Sequence, residues 1–414
     1  MNRKGGKLFS WLTSNCYIFF MVLAFLTFYF DVPGLLRQVL WVLLFVINIK
    51  HVRISSQMDY LVMFYFVAAF LSLTGYLVIS YPIENFFTVL IYSYIPIIFY
   101  FVGKNSNEEF PAFYQRSYYG AMFLFIIGFY FLLFPTDVYI NKTLNALNLY
   151  NTYTEETMEY ARFASFMDSY HTSNIGICSM CFGFGLLKFN SIWNKNRNAT
   201  LKVLSYIFLI VSIVAVVLAR QRVAIYIGVI ILGYYLVLGN NKNRFSTVFL
   251  ITLLFIVTGL FIINQFDNLF IDQITGLFSS QASSTLVSSR SNQWVNAFNG
   301  FAMEPLFGLG VGSGGHVAIA TGQNHPFVTD GSYFKILLEG GIVSFIPFMI
   351  ILISSLVKSL KRRSHYYVEG PLLLFFACSM IGANIIDMPY IILFMWYILG
   401  RINRIENKSY LIRS

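Results

Sequence analysis

The chain has 414 residues, of which 57% are apolar and 19% aromatic, while only 11% carry a charge. A water-soluble globule is nearer a quarter charged, so this composition excludes a cytosolic enzyme, a disordered chain and a disulfide scaffold. It leaves a polytopic integral membrane protein. The net charge of +10 fits cytoplasmic loops rich in Lys and Arg better than a nucleic-acid surface, and no nucleic-acid partner is expected.

A bilayer span needs about 20 mostly apolar residues. Twelve candidates follow in order: 10–30, 34–50, 59–80, 86–103, 117–135, 173–189, 202–220, 223–240, 246–264, 332–357, 369–385 and 388–400. The expected fold is therefore all-α, a single transmembrane domain over 1–414 with about 12 helices. The basic start, Met1 to Phe9, leads into an apolar run without a small-residue cleavage site and reads as an uncleaved first span. Two stretches are too long and polar to span: 136–172, a first outer loop, and 265–331, a large outer loop.

With the N-terminus inside, all but seven of the 28 Lys and Arg fall on inner segments. Both termini are then cytoplasmic and both long loops face outward. The four cysteines all lie in apolar runs. Cys178 and Cys181 form a CxxC, but four Cys and five scattered His give no zinc spacing. Small buried residues are the default reading, and neither a metal site nor a cofactor is expected.

The seven basic exceptions are Arg37, Lys142, Arg162, Arg220, Arg222, Arg290 and Lys335. Each works against the orientation bias, and at mid-span each costs about 2.5–3.5 kcal/mol on the insertion scale. Snorkelling or local ion pairs offset that cost, or the group serves an anionic ligand. Arg220 and Arg222 join two apolar runs with almost no turn. On a regular helix they point to nearly opposite sides, whereas a helix break lets both face one cavity. Arg290 precedes a short amphipathic helix with Trp294, Ala297 and Phe298 on one face. Arg162 has Glu155, Glu156 and Glu159 as local partners. Lys335 and Glu339 are four apart, which predicts an internal ion pair.

The stretch 305–316 is rich in glycine. No strand precedes it and no Lys-Ser/Thr follows, so it is not a nucleotide-binding loop. It reads either as a compact re-entrant turn or as backbone brought close to an anion. Asp330 stands where a span begins at the outer mouth. It is either a counter-ion for arginines or a general base, with His325 and His316 as alternative bases.

Arginines at an outer leaflet beside glycine-rich backbone suit a lipid-linked diphosphate, whose charge lies at the interface. Arginine binds phosphate oxygens bidentately and stays charged. No Asp-x-Asp occurs to hold a metal, so arginine takes the metal's part in stabilising the leaving diphosphate.

The segment 288–345 resembles the signature region of the O-antigen polymerase and ligase superfamily. That region has an Arg-rich outer start, a Trp, PLFGxGxG, and then HNxYLxxLxExG. Here the matching residues are Arg290, Trp294, PLFGLGVG ending at Gly312, and DGSYFKILLEG from Asp330 to Gly340, including Tyr333. The Arg220/Arg222 pair resembles the family's arginine at the outer end of a span, and 162–174 resembles its RxxGxFxxPN segment. Asp330-Gly331 stands where the ligases usually carry His-Asn, which leans the resemblance towards polymerases of O-antigen, capsule or exopolysaccharide.

The resemblance implies a C-type membrane glycosyltransferase in a bacterial inner membrane. Its substrate would be an oligosaccharide on undecaprenyl diphosphate, with a chain-length regulator protein as a candidate partner. Asp330, Arg290 and Arg220 would be catalytic. Arg222, Arg162, His325, Tyr333, Trp294 and Gly312 would bind the lipid diphosphate or glycan. Outward aromatics, Tyr150 and Tyr153 among them, would stack on sugars or belong to the interface belt. The rivals are the ligase, a flippase for the same lipid-linked unit, and an organic-anion transporter.

Overall fold

A computed structural model describes residues 3–77, 82–106, 110–134, 169–193, 199–219, 221–238, 293–314, 331–363 and 365–404, with the short pieces 108, 136–139 and 165–167. Among the described residues the regular structure is helical, without a strand. The helices are α1 (Arg3–Phe30), α2 (Leu35–Asn48), α3 (Gln57–Leu71), α4 (Ile83–Val89), α5 (Ile98–Lys104), α6 (Ala112–Leu133), α7 (Ser169–Trp193), α8 (Ala199–Leu218) and α9 (Arg222–Leu238). Beyond these lie α10 (293–303), α11 (Ser332–Lys361), α12 (Glu369–Gly382) and α13 (Pro389–Ile402).

Helical segments occupy eleven of the twelve expected spans, and 246–264 lies outside the described residues. On length and composition, Ser10–Phe30, Gln57–Leu77, Ile83–Lys104 and Ser332–Lys361 suit a bilayer crossing. Shorter apolar helices include Ser205–Leu218, Ala224–Tyr235, Glu369–Gly382 and Pro389–Ile402. This is the composition and architecture of an all-α membrane protein.

The chain divides into two compact units, one of residues 1–47 and 107–259, the other of 48–106 and 260–414. In the first, small residues let helices approach closely, as expected where lipid gives no hydrophobic drive between helices. Gly120 on α6 meets the Tyr17 ring of α1, and Gly176 on α7 meets Val216 of α8. Arg116 donates to Asn15 Oδ1 at 2.5 Å, tying α6 to α1. Cys178 and Cys181 are free thiols buried on α7.

In the second unit, α5 and α13 cross at two glycines. Gly103 abuts the Tyr397 carbonyl and Gly400 abuts the Tyr100 carbonyl. From Ile83 to Lys104 the chain is α-helical, then π over Leu90–Tyr94, then 3₁₀ over Ile95–Ile97, then α-helical again. Pro96 has no N–H for an α-helical bond, which accounts for the irregular turn beside it.

The two ends of this unit differ. One end gathers basic residues. Lys104 pairs with buried Asp59 and donates to Ser55 Oγ at 2.8 Å. Arg401 pairs with Glu369 at 2.6 Å, and Arg404 donates to the Ser106 carbonyl at 2.8 Å. Asp59 also caps α3 through a capping box with Ser56 and accepts from Tyr100 Oη at 3.0 Å. Buried Asp59 and Glu369 are thus each paired with a cation, as burial demands. The opposite end holds the start of α11, the turn between α12 and α13, and the glycine-rich segment.

Candidate functional site

The long helix α11 is broken inside. Gly341 has φ +59° and ψ −164°, far from helical values. A break in an apolar helix strands backbone N–H and C=O groups, each costly if left unpaired away from water. Here the segment 305–310 takes them up. The Leu309 and Gly310 amides donate to the carbonyls of Leu338 and Glu339 at 2.8 and 3.0 Å. The Ile342 and Val343 amides donate to the carbonyls of Pro305 and Leu306 at 3.0 and 3.1 Å. Four groups that a continuous helix would pair within itself are paired with the loop instead.

Close contact of two backbones requires glycine on both sides. A Cβ at Gly308 would collide with the backbone of Glu339 and Gly341, and a Cβ at Gly341 with that of Leu306 and Gly308. Gly308, Gly310 and Gly312 all have φ between +72° and +99°, a region costly to other residues. Further bonds anchor the run. Tyr76 Oη donates to the Val311 carbonyl at 2.7 Å, and the Val311 amide donates to Ser72 Oγ at 3.1 Å. Gly312 lies against the backbone of Asn85. Residues 305–314 thus form a compact turn packed on the broken helix, while Gly315 and His316 lie outside the described residues.

The expected Lys335–Glu339 pair is present at 3.4 Å, with both side chains buried. A third member, Asp387, was not anticipated. Lys335 Nζ lies 2.5 and 2.6 Å from its two carboxylate oxygens. Glu339 Oε1 in turn accepts from the Gly314 amide at 3.0 Å. Asp387 belongs to a 3₁₀ turn, Ile385–Asp387, between the last two apolar helices. The sequence signal for it was an acid between two apolar runs with no local base.

The same turn holds the start of α11. The Gly331 amide donates to Asn384 Oδ1 at 3.1 Å. The Ser332 amide and hydroxyl both donate to the Ala383 carbonyl, at 3.1 and 2.9 Å. Gly331 has φ +134° and follows Asp330 directly in sequence.

Among the residues expected at a site, Trp294 stacks on Phe334 with ring centroids 4.9 Å apart, and Phe298 meets the same ring edge-on at 5.6 Å. This is the shared face anticipated for α10. Tyr333 Oη donates to the Ala377 carbonyl at 2.8 Å. The α8–α9 junction does break: α8 ends at Leu218 and α9 begins at Arg222, with Gln221 buried between them. Arg162, Arg220, Arg290, His316, His325 and Asp330 lie outside the described residues, as do Lys142, Tyr150 and Tyr153.

Comparison with known proteins bears on this same stretch. A family model described as O-antigen ligase matches residues 207–349, which contain the α8–α9 break, α10, the glycine-rich segment and the break in α11. An O-antigen polymerase of Salmonella muenchen is 27% identical over 190 residues, 45% of this chain and 43% of the relative. The chain thus spans less than half the length of the curated relative it matches. Over these stretches the chain is similar to proteins described as O-antigen ligase and O-antigen polymerase.

Proposed function

We propose that this protein polymerises oligosaccharide repeat units carried on undecaprenyl diphosphate into a surface polysaccharide, by glycosyl transfer at the outer face of the inner membrane. The observation that carries this reading is the pairing of 305–310 with the break at Gly341. Irregular backbone is tolerated at membrane depth where it is buried in protein or lines a cavity, and helix breaks mark substrate sites in other membrane proteins. This break lies at the end of its unit away from Lys104, Arg401 and Arg404, which the orientation bias makes the outer end.

In the proposed reaction a sugar hydroxyl of the acceptor unit attacks the anomeric carbon of the donor glycan. The bond from that carbon to the diphosphate oxygen breaks, and the lipid diphosphate leaves. Arg220, Arg222 and Arg290 hold the diphosphates and take up the developing charge, with Arg162 a further member. Asp330 accepts the hydroxyl proton or orients the acceptor. His325, Tyr333, Trp294 and Gly312 complete the glycan side.

A second reading, transfer of finished glycan to another acceptor, is favoured by the description of the matching family model as O-antigen ligase. One experiment separates them. The gene is deleted in its own host and surface glycan is resolved by size. Complementation uses wild type, Arg290→Ala and Arg220→Ala at equal expression. A ladder that collapses to one repeat unit, restored by wild type alone, supports the polymerase. Lipid-linked polymer accumulating outside supports the ligase. Single lipid-linked units accumulating inside point to a flippase, and an unchanged ladder overturns the whole reading.

A further inference from the structure

The charge cluster of Lys335, Glu339 and Asp387 has no part in the reaction above. It joins three segments distant in sequence. Lys335 and Glu339 stand on the first part of α11, before the break at Gly341. Asp387 stands on the turn between α12 and α13. The Gly314 amide, at the end of the glycine-rich segment, is bound by Glu339 Oε1 at 3.0 Å. The turn that carries Asp387 also binds Gly331 and Ser332 through Asn384 and Ala383.

One turn therefore anchors two places at once. Through Asn384 and Ala383 it fixes the residue following Asp330. Through Asp387, Lys335 and Glu339 it reaches the end of the glycine-rich segment. We infer that Asp387, Lys335 and Glu339 are positioning residues, a charged strut that sets the spacing between the start of α11 and the glycine-rich segment for glycosyl transfer. This inference rests on the polymerase reading, but its geometric half can be tested apart from it.

Two features favour a positioning role over simple packing. Buried ion networks are weak sources of stability, and apolar replacements of similar volume often serve as well. Their directed bonds fix geometry, and Lys335 is fully buried with short bonds to both Asp387 oxygens. The cluster also ends on the Gly314 amide, two residues beyond Gly312, which lies against the backbone of Asn85.

The test uses the purified full-length chain in detergent and, for turnover, membranes supplied with lipid-linked repeat units extracted from the deletion host. Asp387→Asn removes one charge. The triple variant Lys335→Met, Glu339→Gln, Asp387→Asn removes all three and leaves no unpaired buried ion, so it serves if the single variant fails to fold. Hydrogen exchange at Leu309, Gly310 and Gly314 is expected to speed up at least tenfold in either variant, while amides of α5 and α13 stay protected. Turnover is expected to fall at least tenfold at a KM within twofold of wild type, and Asp387→Glu to recover part of it.

Unchanged exchange at those three amides, or wild-type turnover in the triple variant, overturns the strut. So does a turnover loss that merely follows loss of folded protein. If the wild-type chain itself forms no polymer, the polymerase reading fails, and the exchange result still decides whether the strut exists.

Discussion

The backbone of Gly400 lies directly against the carbonyl oxygen of Tyr100. The contact is reciprocated one turn away, where Gly103 meets the carbonyl of Tyr397. Because the obstacle in both places is backbone, no rotamer change relieves a larger side chain. Gly400→Val is therefore expected to push α5 and α13 apart. Overpacking a close-fitted site costs about 1–3 kcal/mol, and a backbone obstacle puts this variant at the upper end. The check is a lower melting temperature of the detergent-purified chain, with Gly228→Ala as a control. Gly228 has no neighbouring atom within 4 Å of the position of its would-be Cβ, so that variant should melt like wild type.

The glycine-rich segment should be less forgiving still. Gly308→Ala combines a left-handed φ of +72° with a collision against the backbone of Glu339 and Gly341. The conformational part alone is about 1–2 kcal/mol. We expect the loop to lift from the broken helix, leaving the carbonyls of Leu338 and Glu339 unpaired. In the chain-length assay Gly308→Ala should abolish the ladder although protein remains in the membrane. A normal ladder would mean that close pairing of loop and break is not needed for function.

Much of this arrangement was legible in the sequence, for a physical reason. A bilayer demands runs of apolar residues, so helices such as Ser332–Lys361 announce themselves. The i, i+4 spacing made the Lys335–Glu339 pair readable. Its third member was not, because Asp387 is 52 residues from Lys335 and nothing local pairs them. The break at Gly341 was also hidden. Apolar residues flank Gly340-Gly341 on both sides, so a span-length hydropathy reading averages across them. Its cue was the glycine pair itself, which only gains meaning once Leu306 and Gly308 are seen against it. Arg220, Arg290 and Asp330 remain sequence expectations.

Tyr76 and Ser72 hold both backbone polar groups of a single residue, Tyr76 donating to the Val311 carbonyl and Ser72 accepting from its amide. Removing either partner leaves a buried backbone group unsatisfied, at about 1–3 kcal/mol. Tyr76→Phe and Ser72→Ala should each lower the melting temperature and weaken the ladder. The double variant should cost less than the sum, since both bonds hold the same residue in place. A strictly additive result would argue that the two bonds stabilise separate things.

The ion pair of Lys104 with Asp59 gives the last test, because burial makes its two halves unequal to their sum. Asp59 is fully buried, receives the Ser55 and Ser56 amides at 2.7 and 2.8 Å, and also accepts from Tyr100 Oη. Lys104→Met leaves that carboxylate charged without its cation, and losing one partner of a buried pair costs about 3–5 kcal/mol. Asp59→Asn leaves the opposite orphan, but Lys104 is near the helix end and Ser55 Oγ still accepts from it, so the loss should be smaller. Lys104→Met with Asp59→Asn removes both charges and should recover stability relative to Lys104→Met alone. Melting temperatures of the three variants check the order. If the double variant melts below Lys104→Met, the pair contributes more than charge neutrality, and the capping of α3 by Asp59 is the part that was lost.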